Sequence, residues 1–113
     1  MRPRKGAAVA EDFWDVAGEL MADDARLSEG TIMGHPCLRL GKEFVAMPEL
    51  KTGRLIVKLD AERVSELIAA GVATDFAPAG KVFREWAAVA DSARWRKLMT
   101  EAIEKAAAAS PEG

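Results

Sequence analysis

GKEFVAMPELKTGRLIVKLDAERVSELIAAG, residues 41–71, reads as two strands, a turn and a helix with no gap between them. Phe44 to Met47 is an apolar run stopped by Pro48, and Lys51-Thr52-Gly53 is polar with a glycine free to take positive φ, so a reversal is expected there. Leu55, Val57 and Leu59 then fall on one face and Arg54, Ile56 and Lys58 on the other, the pattern of a half-buried strand. Asp60 ends the strand, and its carboxylate is placed to accept an N–H two or three residues on, capping the next helix. Val64, Leu67 and Ile68 continue at helical spacing to a stop at Gly71.

Outward from this stretch, Cys37-Leu38-Arg39-Leu40 alternates, with Leu38 and Leu40 inward, and Gly41-Lys42 supplies a tight reversal into Glu43-Phe44-Val45. Three neighbouring strands joined this way form an antiparallel meander. Further upstream, Gly34-His35-Pro36 breaks the extended segment Thr31-Ile32-Met33, and Ser28-Glu29-Gly30 is turn chemistry. Phe13, Val16, Ala17, Leu20 and Met21 recur at spacings of three and four, a first helix starting near Glu11, with Trp14 at the edge of its stripe.

Downstream, a short strand is expected around Asp75 to Ala77 and a longer one over Lys81 to Val89. Asp91 or Ser92 then caps a helix whose stripe is Trp95, Leu98, Met99, Ala102, Ile103 and Ala106. Three helices with one apolar stripe each need a common surface, which one antiparallel sheet provides. The expected fold is therefore α+β, a two-layer sandwich in the order α-β-β-β-α-β-β-α, with about five strands and helices mainly on one face. Residues 1–10 are expected to form a flexible head, 11–108 a single domain, and 109–113 a flexible tail.

Composition narrows the function classes. The chain has 113 residues, half of them hydrophobic, enough for one modest core. Charges interrupt every apolar run well short of the ~20 residues that span a bilayer. Glu11, Asp12 and Asp15 sit where a signal peptide needs an apolar core, and the single cysteine, Cys37, has no internal disulfide partner, so a cytoplasmic protein is expected. The net charge of −2 offers nucleic acid no global attraction. Residues 31–58 are nonetheless basic, with five Lys or Arg against two acidic residues, while residues 1–30 carry seven acids against four bases.

No residue set reads as catalytic, cofactor-binding or metal-ligating, and no enzyme is expected. His35, the sole histidine, has no carboxylate or nucleophile at a telling spacing and reads as a turn or strand-edge residue. Cys37 reads as a small core residue. Asp23-Asp24 lacks a third oxygen ligand at calcium-loop spacing and reads as a solvated helix end. Trp86 and Trp95 can be read as a stacking platform for bases but more simply fill the core between sheet and helix.

The element order, together with Glu29-Gly30, Met33-Gly34-His35-Pro36, Leu40-Gly41-Lys42, Phe44-Val45-Ala46, Leu55 to Leu59, Phe76 with Pro78, and Gly80 to Val89 with Trp86, resembles the MmcQ/YjbR and TfoX N-terminal group of small bacterial domains. Met33-Gly34 is similar to the Met-Phe-Gly-Gly signature of the TfoX type, and Gly34-His35-Pro36 to the Trp-Gly-His-Pro of the YjbR type. The resemblance spans roughly Phe13 to Ala106. It implies a secretion-chaperone-like sandwich and a transcription-related DNA-binding accessory. On that reading Arg39, Lys42, Arg54 and Lys58 form a phosphate-contacting ladder on the sheet, and binding is weak and falls steeply with salt. The alternative is a protein-interaction or self-association domain without nucleic-acid binding, which Val45, Met47 and Ile56 exposed together would favour.

Overall fold

The structure, a computed structural model, describes residues 5–109, with side chains from Glu11 onward. It is an α+β sandwich built on one six-stranded antiparallel sheet in the spatial order β1-β2-β3-β4-β6-β5. The chain runs α1 (Lys5–Asp23), β1 (Leu27–Ile32), β2 (His35–Leu40), β3 (Glu43–Glu49), β4 (Arg54–Lys58), α2 (Ala61–Ala69), β5 (Thr74–Asp75), β6 (Trp86–Val89) and α3 (Trp95–Ala109). The head and tail expected over residues 1–10 and 109–113 fall partly outside the described residues. Of the remainder, residues 5–10 belong to α1 and Ala109 to α3.

Three local expectations are corrected. Ser28-Glu29-Gly30 is strand, not turn: β1 pairs antiparallel with β2 from Leu27↔Leu40 to Ile32↔His35, and the reversal falls on Met33-Gly34. Both turn residues have positive φ, 51° and 79°, as a two-residue type I′ hairpin demands. Only Trp86–Val89 of the expected Lys81–Val89 strand pairs, while the preceding residues cross the sheet as a loop. Asp60 makes no side-chain cap for α2; its carboxylate lies 3.5 Å from the Lys105 ammonium instead. Asp91 caps the 3-10 turn Ser92–Arg94 that leads into α3, its carboxylate accepting the Ala93 N–H at 3.1 Å.

All three helices pack on one face of the sheet. Phe13 and Ala17 of α1, Val64 and Leu67 of α2, and Trp95, Leu98 and Met99 of α3 meet Leu38, Leu40, Val45, Leu55, Val57 and Val89. The Trp95 indole N–H donates to the Val89 carbonyl at 3.0 Å, so the ring is buried without an orphaned donor. Burying a side chain of this size contributes about 1.5–3 kcal/mol before the ordering entropy is subtracted. The Arg63 guanidinium grips the Glu101 carboxylate at 2.9 and 3.1 Å, tying α2 to α3. Near the helix-to-strand turn, Arg26 hydrogen-bonds the Asp24 carboxyl and holds its pKa down to about 2.

The opposite face is also apolar. Cys37, Phe44, Met47, Ile56, Trp86 and Ala88 form a second buried cluster, closed by Phe76 from the loop after β5. Trp86 is stacked between Phe44 at 4.6 Å and Phe76 at 5.4 Å, with Phe83 5.0 Å away. The two tryptophans therefore fill different cores, one on each side of the sheet. Ile56, expected to face solvent, is completely buried because residues 76–86 fold back over its face, so β4 is apolar on both sides.

Candidate functional site

The second face is where the basic ladder was expected, and each member has a defined place there. Arg39 lies along the sheet over Gly30, so closely that a methyl group on the Gly30 Cα would come within 2.5 Å of its Cδ. Its guanidinium donates to the backbone carbonyls of Thr31 and Lys42, both at 3.1 Å. Arg54 is engaged by Glu49 at 2.8 and 3.0 Å and by the Thr74 hydroxyl at 2.7 Å. Lys58 is half-buried opposite Trp86, and Lys42 stands exposed in the β2–β3 turn. Between these residues the face is the aromatic cluster. Val45, Met47 and Ile56 are all buried, Val45 in the core on the helix side.

The recess on this side lies where β2 and β3 part. Their pairing runs from Leu40↔Glu43 through an irregularity to Leu38↔Ala46 and stops. Two more residues along that register set Pro36 opposite Pro48. The Gly41 N–H donates to the Arg26 carbonyl, which fixes the phase of the β1–β2 ladder and turns the backbone of Pro36 toward β3. The Leu59 N–H donates to the Glu85 carbonyl, which turns Leu55 toward β6 and leaves Pro48, its partner across β3–β4, turned toward β2. Proline has no N–H, so at this pair neither strand has a donor to offer and the ladder cannot continue.

Beside Pro48, where the ladder ends, lies a cavity of about 360 Å³. Met33 and His35 line it from the β1–β2 hairpin, Met47 to Lys51 from the end of β3 and its turn, and Phe76 and Pro78 from the loop after β5. Its walls are predominantly apolar. Met33, 55 % exposed, and Leu50, 45 % exposed, are the largest uncovered apolar side chains around it. Met33 is held there in the left-handed region, a conformation costing a non-glycine residue roughly 1 kcal/mol or more. His35 makes no side-chain hydrogen bond to a carboxylate among the described residues, and no group of three or more His, Cys, Asp or Glu side chains there is placed to hold a metal. Cys37, beneath, is fully buried, and burial raises its thiol pKa despite nearby Arg39.

A second recess, between α2 and α3, is lined by Asp60, Arg63, Glu101, Glu104 and Lys105. Four of its five charges are paired: Arg63 binds Glu101 at 2.9 Å and Lys105 meets Asp60 at 3.5 Å. The β2/β3 cleft has the stronger claim, because it combines an apolar interior with uncovered side chains at its mouth.

Sequence reasoning singled out the cleft's walls without joining them. Met33-Gly34-His35-Pro36 and the Pro48 strand stop were both visible; that the two prolines share a register position required the pairing of β2 with β3. Among known proteins, no family model, curated protein or solved structure matches this chain.

Proposed function

We propose that the chain is a small, non-enzymatic, cytoplasmic binding module of the MmcQ/YjbR and TfoX N-terminal kind, and that it takes its ligand in the cleft between β2 and β3. The observation that carries this reading is the apolar cavity beside Pro48, of about 360 Å³, at the low end of the range for small-molecule sites. The reading as a DNA-binding accessory places phosphates at Arg39, Lys42, Arg54 and Lys58. It asks Arg39 and Arg54 to give up bonds they already make within the chain, at the desolvation and pairing cost of each. Lys42 and Lys58 have no ion-pair partner among the described residues and are the cations that would serve it.

The test sets a neutral apolar dye against labelled duplex. Nile red is expected to bind and to shift the amide resonances of Met33, His35, Leu50 and Phe76, with Leu50→Asp weakening it at least tenfold while leaving the fold intact. Duplex DNA at low and at physiological salt is expected to show no binding. Salt-sensitive duplex binding that weakens on Lys42→Ala and Lys58→Ala, with no dye at the cleft, would return the function to the basic residues.

A further inference from the structure

We infer that the ligand of the cleft is an apolar monocarboxylate, its body in the cavity and its carboxylate at the mouth between Lys51 and His35. The inference rests on the cleft being the binding site and adds the chemical class. It follows from which polar groups at the mouth are already satisfied. Among the described residues, Glu49 is the only acidic one lining the cavity. Its Oε1 accepts from Arg54 Nε at 3.0 Å, from the second Arg54 nitrogen at 2.8 Å, and from the Thr52 hydroxyl. The charge of that carboxylate is balanced by Arg54 and its Oε1 is filled, so Oε2 is the one acceptor it leaves at the mouth.

Lys51 differs. It is an exposed residue of the cavity lining, and its ammonium makes no ion pair or side-chain hydrogen bond among the described residues. His35 likewise lines the cavity with no side-chain partner there, and its ring carries an N–H to donate. Beside Glu49 Oε2, whose charge Arg54 balances, the unspent polar capacity of the lining is a cation and a donor, while the interior offers Met33, Met47, Leu50 and Phe76. A carboxylate meets both donors with charge-assisted hydrogen bonds, and the thioethers adapt to an acyl chain or an aromatic ring. A neutral apolar molecule would leave the mouth unused, and an amine would meet Lys51 with like charge.

The experiment compares octanoate, 4-phenylbutyrate and 1-octanol on the full chain, by calorimetry and by amide shifts at Met33, Lys51 and Phe76. At least one carboxylate is expected to bind about fivefold or more tighter than the alcohol, a charge-assisted contact at a partly exposed mouth. Lys51→Ala is expected to abolish that preference without changing octanol binding, and Lys51→Arg to retain it. The two acids distinguish a chain-like from a ring-like ligand. Equal binding of acid and alcohol overturns the carboxylate assignment while the cleft stands, and a preference undiminished by Lys51→Ala overturns the placement of the carboxylate at Lys51. Failure of all three to bind, with Nile red also excluded, removes the cleft and this inference together.

Discussion

Gly30 is required by its neighbour and not by its own backbone angles. The space above it is filled by the aliphatic part of Arg39, whose guanidinium reaches on to the Thr31 and Lys42 carbonyls. A methyl at position 30 has to push Arg39 aside, which loosens two hydrogen bonds but leaves a flexible side chain to absorb the clash. Gly30→Ala is expected to cost about 1 kcal/mol by urea unfolding. In an Arg39→Ala background the same substitution is expected to cost little, so the coupling in the double-mutant cycle carries most of the effect. Glu29-Gly30 was visible in the sequence as a motif, but its turn-forming composition concealed its role. A glycine in a strand can be there for the side chain that crosses it.

At the scale of elements, the helix stripes and the alternation of β2 and β4 were legible because each has one strong period. What escaped was the second face. Phe44, Met47, Ile56, Trp86 and Ala88 share it, and an apolar residue at every one of these outward positions is the signal that something covers them. The cover is the loop between β5 and β6, whose Pro78, Gly80 and scattered aromatics have no period to read. Trp86 is the centre of that arrangement, stacked by Phe44 and Phe76. Trp86→Ala is expected to destabilise by about 3–5 kcal/mol, and Trp86→Phe by clearly less because it keeps a ring between the two phenylalanines. Chemical denaturation of both variants checks the order. If both changes are harmless, the loop does not form a core with the sheet.

Across the whole molecule, one sheet serves two cores, and stability should follow position in it. β3, β4 and β6 are buried on both faces over most of their length, whereas β1 and β5 are edges with exposed residues. Native-state hydrogen exchange is expected to find the slowest amides at Met47, Ile56, Val57 and Val89 and faster ones in β1 and β5. The candidate site belongs to this scale as well. No residue in it carries an unusual chemistry, and it exists because a hairpin, a strand end and a distant loop are brought together by strand order. His35 and Lys51, read one at a time, are an ordinary surface histidine and lysine; that both line one cavity appears only once the chain is folded.

The facing pair Pro36 and Pro48 carries one last consequence. An absent N–H is a covalent fact, so no thermal fluctuation or change of solvent can extend the hydrogen-bonded ladder through this pair. An occupant would find its berth already standing, with the conformational cost met during folding and no hinge to swing on arrival. Capture at such a berth should proceed at a rate set by diffusion and orientation, and the vacant and filled chains should superimpose almost without difference along both strands.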